Sequence, residues 1–309
     1  MHKMDKYLIT GGAGFIGSHI AEQLSSHGYE VVVLDSLRTG FKRNILNLNV
    51  QSVEGSILDK ALLAELAQGT KAIFHLAALV SVPESLEKIE DCISINTMGT
   101  INVLEAAKQN QDCKVVLSSS AANYGDDPEL PKVESMIPKP MTPYSITKLD
   151  GEYYLKMYQE QWGVPTTSLR YFNVFGPRQN PKSAYAAAVP IFIEKALRNE
   201  PLTIYGDGQQ TRDFIYVKDV VKANIHASLV GDETYNVALG QSTSILQLAE
   251  NIIDITNSKS QIKYLAERPG DIKHSQADVT KFKKLGFRPE YSLEEALTET
   301  IEYYAKIIT

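Results

Sequence analysis

A chain of 309 residues, 43% hydrophobic and 22% charged, has the make-up of one or two packed globular domains rather than a disordered tail or a fibre. Its 31 basic and 37 acidic residues are interspersed, and the net charge of −6 argues against nucleic acid or an anionic membrane surface as the main partner. Two cysteines, Cys92 and Cys113, form no disulfide framework and no metal-ligand pattern, and no run reaches the roughly eighteen apolar residues of a membrane span. With no signal peptide at its start, the chain is expected to be cytoplasmic and to carry no metal.

In chain order, Tyr7 to Thr10 reads as a buried strand and is followed by a helix from about Gly14 to His27. Strands follow at Val31–Leu34 and Lys71–Phe74, then a long helical stretch from about Glu84 to Gln109. Val115–Leu117 is a strand, Pro143 to Trp162 a helix, and Thr166 to Tyr171 a strand again. Strands this apolar are covered on both faces, and regular strand–helix alternation builds parallel βαβ units. The expected fold is therefore α/β, a Rossmann-type doubly wound parallel sheet with a smaller C-terminal α/β substrate domain. The first domain is expected over 1–175, with returning segments at about 213–238, and the second mainly over 176–309. Asp213–Val217 and Tyr235–Val237 read as strands that return to the first sheet, and an amphipathic helix closes the chain from about Ser292 to Ile307.

The first strand runs into Gly11-Gly12-Ala13-Gly14-Phe15-Ile16-Gly17 and then into helix. Glycines there allow a tight turn and a close backbone approach to a pyrophosphate, which then rests on the amides at the helix start. Asp35 ends the second strand, 18 residues after Gly17, where a carboxylate meets ribose hydroxyls and repels a 2′-phosphate. The expected cofactor is NAD rather than NADP.

The strand at Val115 ends in Ser118-Ser119-Ser120, on the carboxyl edge where open α/β sheets hold their ligands. Downstream, Thr142 suits an N-cap and Pro143 the first helical position, so Tyr144 falls in the first turn with Lys148 on its face. An ammonium and a helix N-terminus both favour phenolate, which predicts a Tyr144 pKa below the usual value of about 10. Such a tyrosine takes a proton from a sugar hydroxyl while a nicotinamide takes the hydride, with Ser120 on the same oxygen. A Ser-His-Asp hydrolase is excluded by the lack of a G-x-S-x-G elbow, and His75 reads as a satisfied core histidine.

Gly11-x-x-Gly14-x-x-Gly17, the triple serine and Tyr144-x-x-x-Lys148 resemble the extended short-chain dehydrogenase/reductases, and within them the UDP-hexose 4-epimerases. The similarity runs from about residue 6 to 305 and includes His75-Leu76-Ala77-Ala78, Leu169 to Arg178, Gly206-Asp207-Gly208, Thr211 to Val217 and Arg268-Pro269-Gly270-Asp271. The resemblance implies an NAD-dependent isomerase interconverting UDP-glucose with UDP-galactose, and UDP-N-acetylglucosamine with UDP-N-acetylgalactosamine, through a 4-keto sugar. It places the protein in galactose metabolism or nucleotide-sugar biosynthesis. Ser120, Tyr144 and Lys148 would be catalytic. Gly11, Gly14, Phe15, Ile16, Asp35, Ser56, Ile57, Leu76, Ala77, Ala78, Asn96, Tyr144, Lys148 and Tyr171 would contact NAD. Ser81, Ser120, Tyr144, Asn173, Val189, Thr203, Tyr205, Arg212, Arg268, Asp271 and Ser275 would hold the UDP-sugar, the two arginines gripping the diphosphate by charge-assisted bonds.

Two positions depart from the family pattern. Ser56 stands where an aspartate usually meets the adenine amine, which predicts a weaker hold on NAD, and Asn123 stands where an apolar residue or threonine is common and receives no role. Ser275 resembles the family's gate beside the sugar C2 group, where a small residue admits an N-acetyl group and tyrosine excludes it. A 4,6-dehydratase would want an acidic pair where Ala121-Ala122 stand, and a UDP-glucuronate decarboxylase typically reads Arg-Ser-Phe at Arg212-Asp213-Phe214. A UDP-glucuronate 4-epimerase and, from another class, a non-catalytic NAD-binding sensor remain as alternatives. A homodimer is expected through the helices at 84–110 and 143–162, with Ile89, Ile93, Ile101, Leu104, Tyr154 and Leu155 in its contact.

Overall fold

The computed structural model describes residues 4–110, 112–181, 188–267 and 272–308. The first half of the chain runs β1 (Lys6–Thr10), α1 (Phe15–Ser26), β2 (Glu30–Asp35), β3 (Gln51–Glu54), α2 (Lys60–Ala67) and β4 (Thr70–His75). Then come α3 (Val82–Glu87), α4 (Ile89–Cys92), a π-helical turn at Ile93–Met98, α5 (Gly99–Lys108), β5 (Lys114–Ser120), α6 (Pro143–Trp162) and β6 (Thr166–Tyr171). The second half runs β7 (Asn173–Phe175), α7 (Ala188–Leu197), β8 (Leu202–Tyr205), β9 (Thr211–Arg212), β10 (Phe214–Tyr216), α8 (Val217–Leu229) and β11 (Thr234–Val237). It ends with β12 (Thr243–Ser244), α9 (Ile245–Thr256), β13 (Ile262–Leu265), α10 (Thr280–Lys284) and α11 (Leu293–Ile308).

Seven strands make one parallel sheet in the order β11-β6-β5-β4-β1-β2-β3. The two-sided apolar pattern has a direct cause in the pleat, which sends successive side chains to opposite faces. Ile9, Val31 and Val33 pack under α1 and α8 with Ile20, Leu24 and Val220, whereas Leu8, Val32 and Leu34 pack under α2, α5 and α6 with Leu63, Leu104 and Leu155. Each such side chain contributes roughly 1.5–3 kcal/mol by leaving water. The doubly wound expectation is met, and the strand order reverses beside β1 and β4, which opens a crevice at their carboxyl ends.

Of the two short strands expected to rejoin this sheet, β11 pairs with β6, but β10 pairs instead with β7 in a separate two-stranded sheet. Around it gathers a second apolar core, with Phe175, Tyr216, Ile193, Leu248 and Leu297 at its centre. The long helical stretch after β4 is also broken. Lys88 leaves helical geometry (φ −129°, ψ 62°), and the π-helical turn turns Asn96 inward. Among the described residues, no helix is long and apolar enough to cross a membrane.

Candidate active site

The turn between β1 and α1 is shaped for a phosphate group. Gly11 has φ +72°, and a Cβ on it would stand 2.7 Å from the Ala77 amide nitrogen. A Cβ on Gly17 would stand 2.3 Å from the Gly11 carbonyl oxygen, so helix and turn approach only because neither residue has a side chain. Gly14 caps α1 without a side-chain hydrogen bond, leaving the first-turn amides for an anion. Asp35 is buried at the end of β2, where its Oδ2 accepts from the Ala13 amide at 2.9 Å and its Oδ1 from the Leu37 amide at 2.8 Å. Each oxygen keeps a further lone pair for a ribose hydroxyl. This donor and acceptor set fits a dinucleotide.

Other residues expected on that ligand are engaged within the protein. Asn96 Oδ1 accepts from the Leu79 amide at 2.7 Å, and its Nδ2 donates to Leu79 O at 3.2 Å and to Thr147 Oγ1 at 3.0 Å. Both polar atoms are thus engaged within the protein, fixing the loop of Leu76, Ala77 and Ala78 against α6. The Tyr171 phenol donates to Asn224 Oδ1 at 2.8 Å and shares a 3.0 Å hydrogen bond with Ser118 Oγ. Ser56 Oγ accepts from the Leu58 amide at 3.1 Å, Ile57 packs beneath Gly99, and Phe15 and Ile16 lie against the second core.

The three residues expected to be catalytic, Ser120, Tyr144 and Lys148, stand at the end of β5 and the start of α6. Thr142 and Ser145 form a reciprocal capping box, Pro143 opens α6, and Tyr144 follows in its first turn. The Ser120 hydroxyl lies beside the Tyr144 phenol and draws its pKa down. Lys148 Nζ donates to Ser118 O at 2.8 Å and lies 5.9 Å from the centre of the Tyr144 ring. The expected lowering of the Tyr144 pKa is not found. Burial raises it, against the opposing pull of the Ser120 hydroxyl. Lys148 does not offset this, because its own burial lowers it to about 8, so it loses its charge before so raised a phenol titrates. His75 is the core histidine it was read as: Thr10 Oγ1 lies 2.8 Å from Nδ1 and Thr100 Oγ1 3.0 Å from Nε2, and burial holds its pKa near 3.

Residues expected on the UDP-sugar come from scattered segments. Ser81 caps α3 and accepts from the Glu84 amide, Val189 is buried in the second core, and Thr203 and Tyr205 lie on β8. Asn173 Nδ2 donates to Asp213 O at 3.1 Å, Arg212 Nη1 donates to Thr211 O at 2.9 Å, and the Ser275 amide donates to Thr211 O at 3.1 Å. Arg268 and Asp271 lie outside the described residues.

Sequence reasoning missed a buried cluster directly beneath the trio. Glu152 forms a two-pronged ion pair with Arg170, at 2.9 and 2.7 Å, and also accepts from Ser119 Oγ and from Asn123 Nδ2. Asn123, given no role above, belongs to this cluster. The signal was available, because Tyr144, Lys148 and Glu152 recur every four residues on one face of α6. The pair ties α6 to β5 and β6 one residue before Ser120 and Tyr171.

The chain matches the NAD dependent epimerase/dehydratase family over residues 7–238. The UDP-N-acetylglucosamine 4-epimerase from Methanobrevibacter ruminantium M1, solved in complex with UDP-N-acetylmuramic acid, is 42% identical and superposes with a TM-score of 0.95 over 99% of both chains. The UDP-glucose 4-epimerase of Thermotoga maritima, solved with UDP-glucose, is 39% identical with a TM-score of 0.94 over 98% of this chain and 100% of that one. A UDP-N-acetyl-alpha-D-glucosaminuronate decarboxylase from Bacillus cytotoxicus is 37% identical over 97% of this chain and 98% of its own length. The chain belongs to the NAD dependent epimerase/dehydratase family, as an isomerase of the extended short-chain dehydrogenase/reductase type whose cofactor is NAD.

Proposed function

We propose that the protein is a UDP-hexose 4-epimerase that accepts both the UDP-glucose/UDP-galactose pair and the UDP-N-acetylglucosamine/UDP-N-acetylgalactosamine pair. The observation that carries this reading is the Tyr144 phenol set beside the Ser120 hydroxyl, with Lys148 one turn along the same helix, at the carboxyl edge of the sheet. NAD, when bound, supplies the acceptor for the C4 hydride and a positive charge near the phenol. With that charge favouring its phenolate, Tyr144 Oη would take the proton of the sugar C4 hydroxyl and later return it, and Ser120 Oγ would hold the same oxygen. Arg212 and Asn173 grip the nucleotide while the 4-keto sugar turns over about its link to the diphosphate, so the hydride returns to the other face.

Residues 1–175 with the segments at about 213–238 serve as the NAD half, and 176–309 mainly as the sugar-nucleotide half. Small Ser275 and the names of the two solved relatives support the wide sugar range. The test is to incubate purified protein with each UDP-sugar and no added NAD. Epimer formation with both pairs is expected, and a Ser275→Tyr variant should lose N-acetyl turnover about tenfold or more while keeping UDP-glucose turnover. No conversion of any neutral UDP-hexose would overturn the reading, and unchanged N-acetyl turnover in the variant would overturn the gate.

We further propose a cytoplasmic homodimer, with one correction to the contact expected from sequence. Leu104 and Leu155 are fully buried against the sheet, and Tyr154 packs on the same core. Ile89 and Ile93 are exposed as the contact requires, and Leu86, Met98, Ile146, Tyr153, Met157 and Trp162 are exposed beside them on the same stretches.

A further inference from the structure

On the reading above, the sugar nucleotide is gripped by Asn173, Arg212 and the segment carrying Ser275, which lie far apart in sequence. One buried residue meets all of them, through its side chain on one side and its backbone carbonyl on the other. Asp213 is fully buried. Its Oδ1 accepts from the amides of Leu239 at 3.0 Å and Gly240 at 3.2 Å, and its Oδ2 from those of Gly240 and Ala277, both at 3.1 Å. Its backbone carbonyl accepts from the Asn173 amide at 3.0 Å and from Asn173 Nδ2 at 3.1 Å. Arg212 precedes it directly, and Ala277 stands two residues beyond Ser275.

The surrounding ties run the same way. The Thr211 amide donates to Lys273 O, the Ser275 amide to Thr211 O, and the Lys132 amide to Gln276 O. The 273–277 segment is thus laced to β9 on one side and to the loop at 132 on the other, with Asp213 closing the lace from beneath. Burying a carboxylate on backbone amides, without a cation against it among the described residues, is a costly arrangement for a purely structural position. An apolar side chain there would leave the amides of Leu239, Gly240 and Ala277 without their acceptor, so the carboxylate is what joins these segments.

We propose that Asp213 is a positioning residue for substrate binding, touching no substrate itself but holding Asn173, Arg212 and the Ser275 segment in the relative places that grip a UDP-sugar. This rests on the UDP-hexose reading. The catalytic trio stands on β5 and α6, to which Asp213 makes no hydrogen bond, so loss of the carboxylate should weaken binding and spare the chemical step.

The test is Asp213→Asn, which keeps one acceptor and sets an NH2 group against a backbone N–H at the other oxygen. A KM for UDP-glucose raised about tenfold or more is expected, with kcat within about threefold and bound NAD retained. Calorimetry with UDP alone should show the same loss of affinity. A folded variant with wild-type UDP affinity, or one that loses kcat at constant KM, would overturn the proposal. Should the variant not fold, amide exchange on wild type decides: the amides of Leu239, Gly240 and Ala277 should slow together when UDP is added, and indifference to UDP would overturn it. A wild type that binds UDP yet epimerises no UDP-hexose would sink the catalytic reading alone, because the UDP arm still judges Asp213.

Discussion

The two halves of the site are built by different means. On the nucleotide side, a continuous strand, turn and helix over residues 6–26 shape the cradle, and its fit comes from missing side chains, as the close approaches at Gly11 and Gly17 show. On the sugar side, β7, β9 and the segment around Ser275 are short and far apart, and buried polar groups join them: Asp213 to the amides at 239, 240 and 277, and Asn236 to the carbonyls of Lys132 and Asp278. A site made from one local motif tolerates wide change elsewhere in the chain. One sewn together by buried side chains can be detuned from positions that never meet a ligand.

The largest expected effect falls between the two halves. Tyr144→Phe removes the hydroxyl proposed to carry the proton while leaving the ring in place, so kcat should fall about 10³-fold or more with NAD still bound. Measuring turnover and co-purified nicotinamide on one preparation checks both. A variant with near wild-type turnover would show that the proton leaves by another route. A smaller effect, confined to the nucleotide half, is expected of Gly11→Ala, which places a Cβ against the Ala77 backbone at a positive φ. It should cost about 2–3 kcal/mol of stability and most of the bound NAD, measured by unfolding and by absorbance of the released cofactor.

The same contrast explains what could be read from the sequence. The first half was legible because its signals are local: two-sided apolar strands, the glycine turn, Thr142-Pro143 at a helix start, and Tyr144 four residues from Lys148. The sugar half was legible only through resemblance, since nothing local in Asp213 or Asn236 tells that their partners stand tens of residues away. Two local rules also misled. The N-terminus of α6 and Lys148 argued for a lowered tyrosine, but burial weakens that lysine and raises the phenol. Apolar spacing along residues 84–110 and α6 could not separate Leu104 and Leu155, which face the sheet, from Ile89 and Ile93, which face solvent. The Glu152–Arg170 pair escaped notice because charged residues on a helix usually lie on its solvated face.

The smallest expected effect sets one buried titratable group of each half against the other. Burial lowers His75 from its usual 6.5 to about 3 and raises Asp213 from 3.8 to about 7. For His75 the unfolded chain binds the extra proton between about pH 6.5 and 3, so acidification through that window destabilises the fold. For Asp213 the folded chain binds it between about pH 7 and 3.8, so acidification stabilises, and that contribution is lost as the pH rises through 7. From about pH 6 to 5 the two slopes oppose each other, each worth at most about 1.4 kcal/mol per pH unit. His75→Asn should therefore be closer to wild type in urea unfolding at pH 5 than at pH 6, by about 1 kcal/mol, whatever its fixed packing cost. A gap that is equal at the two pH values would mean that the imidazole takes its proton inside the fold, and that the hydrogen bonds to Thr10 and Thr100 do not keep it neutral.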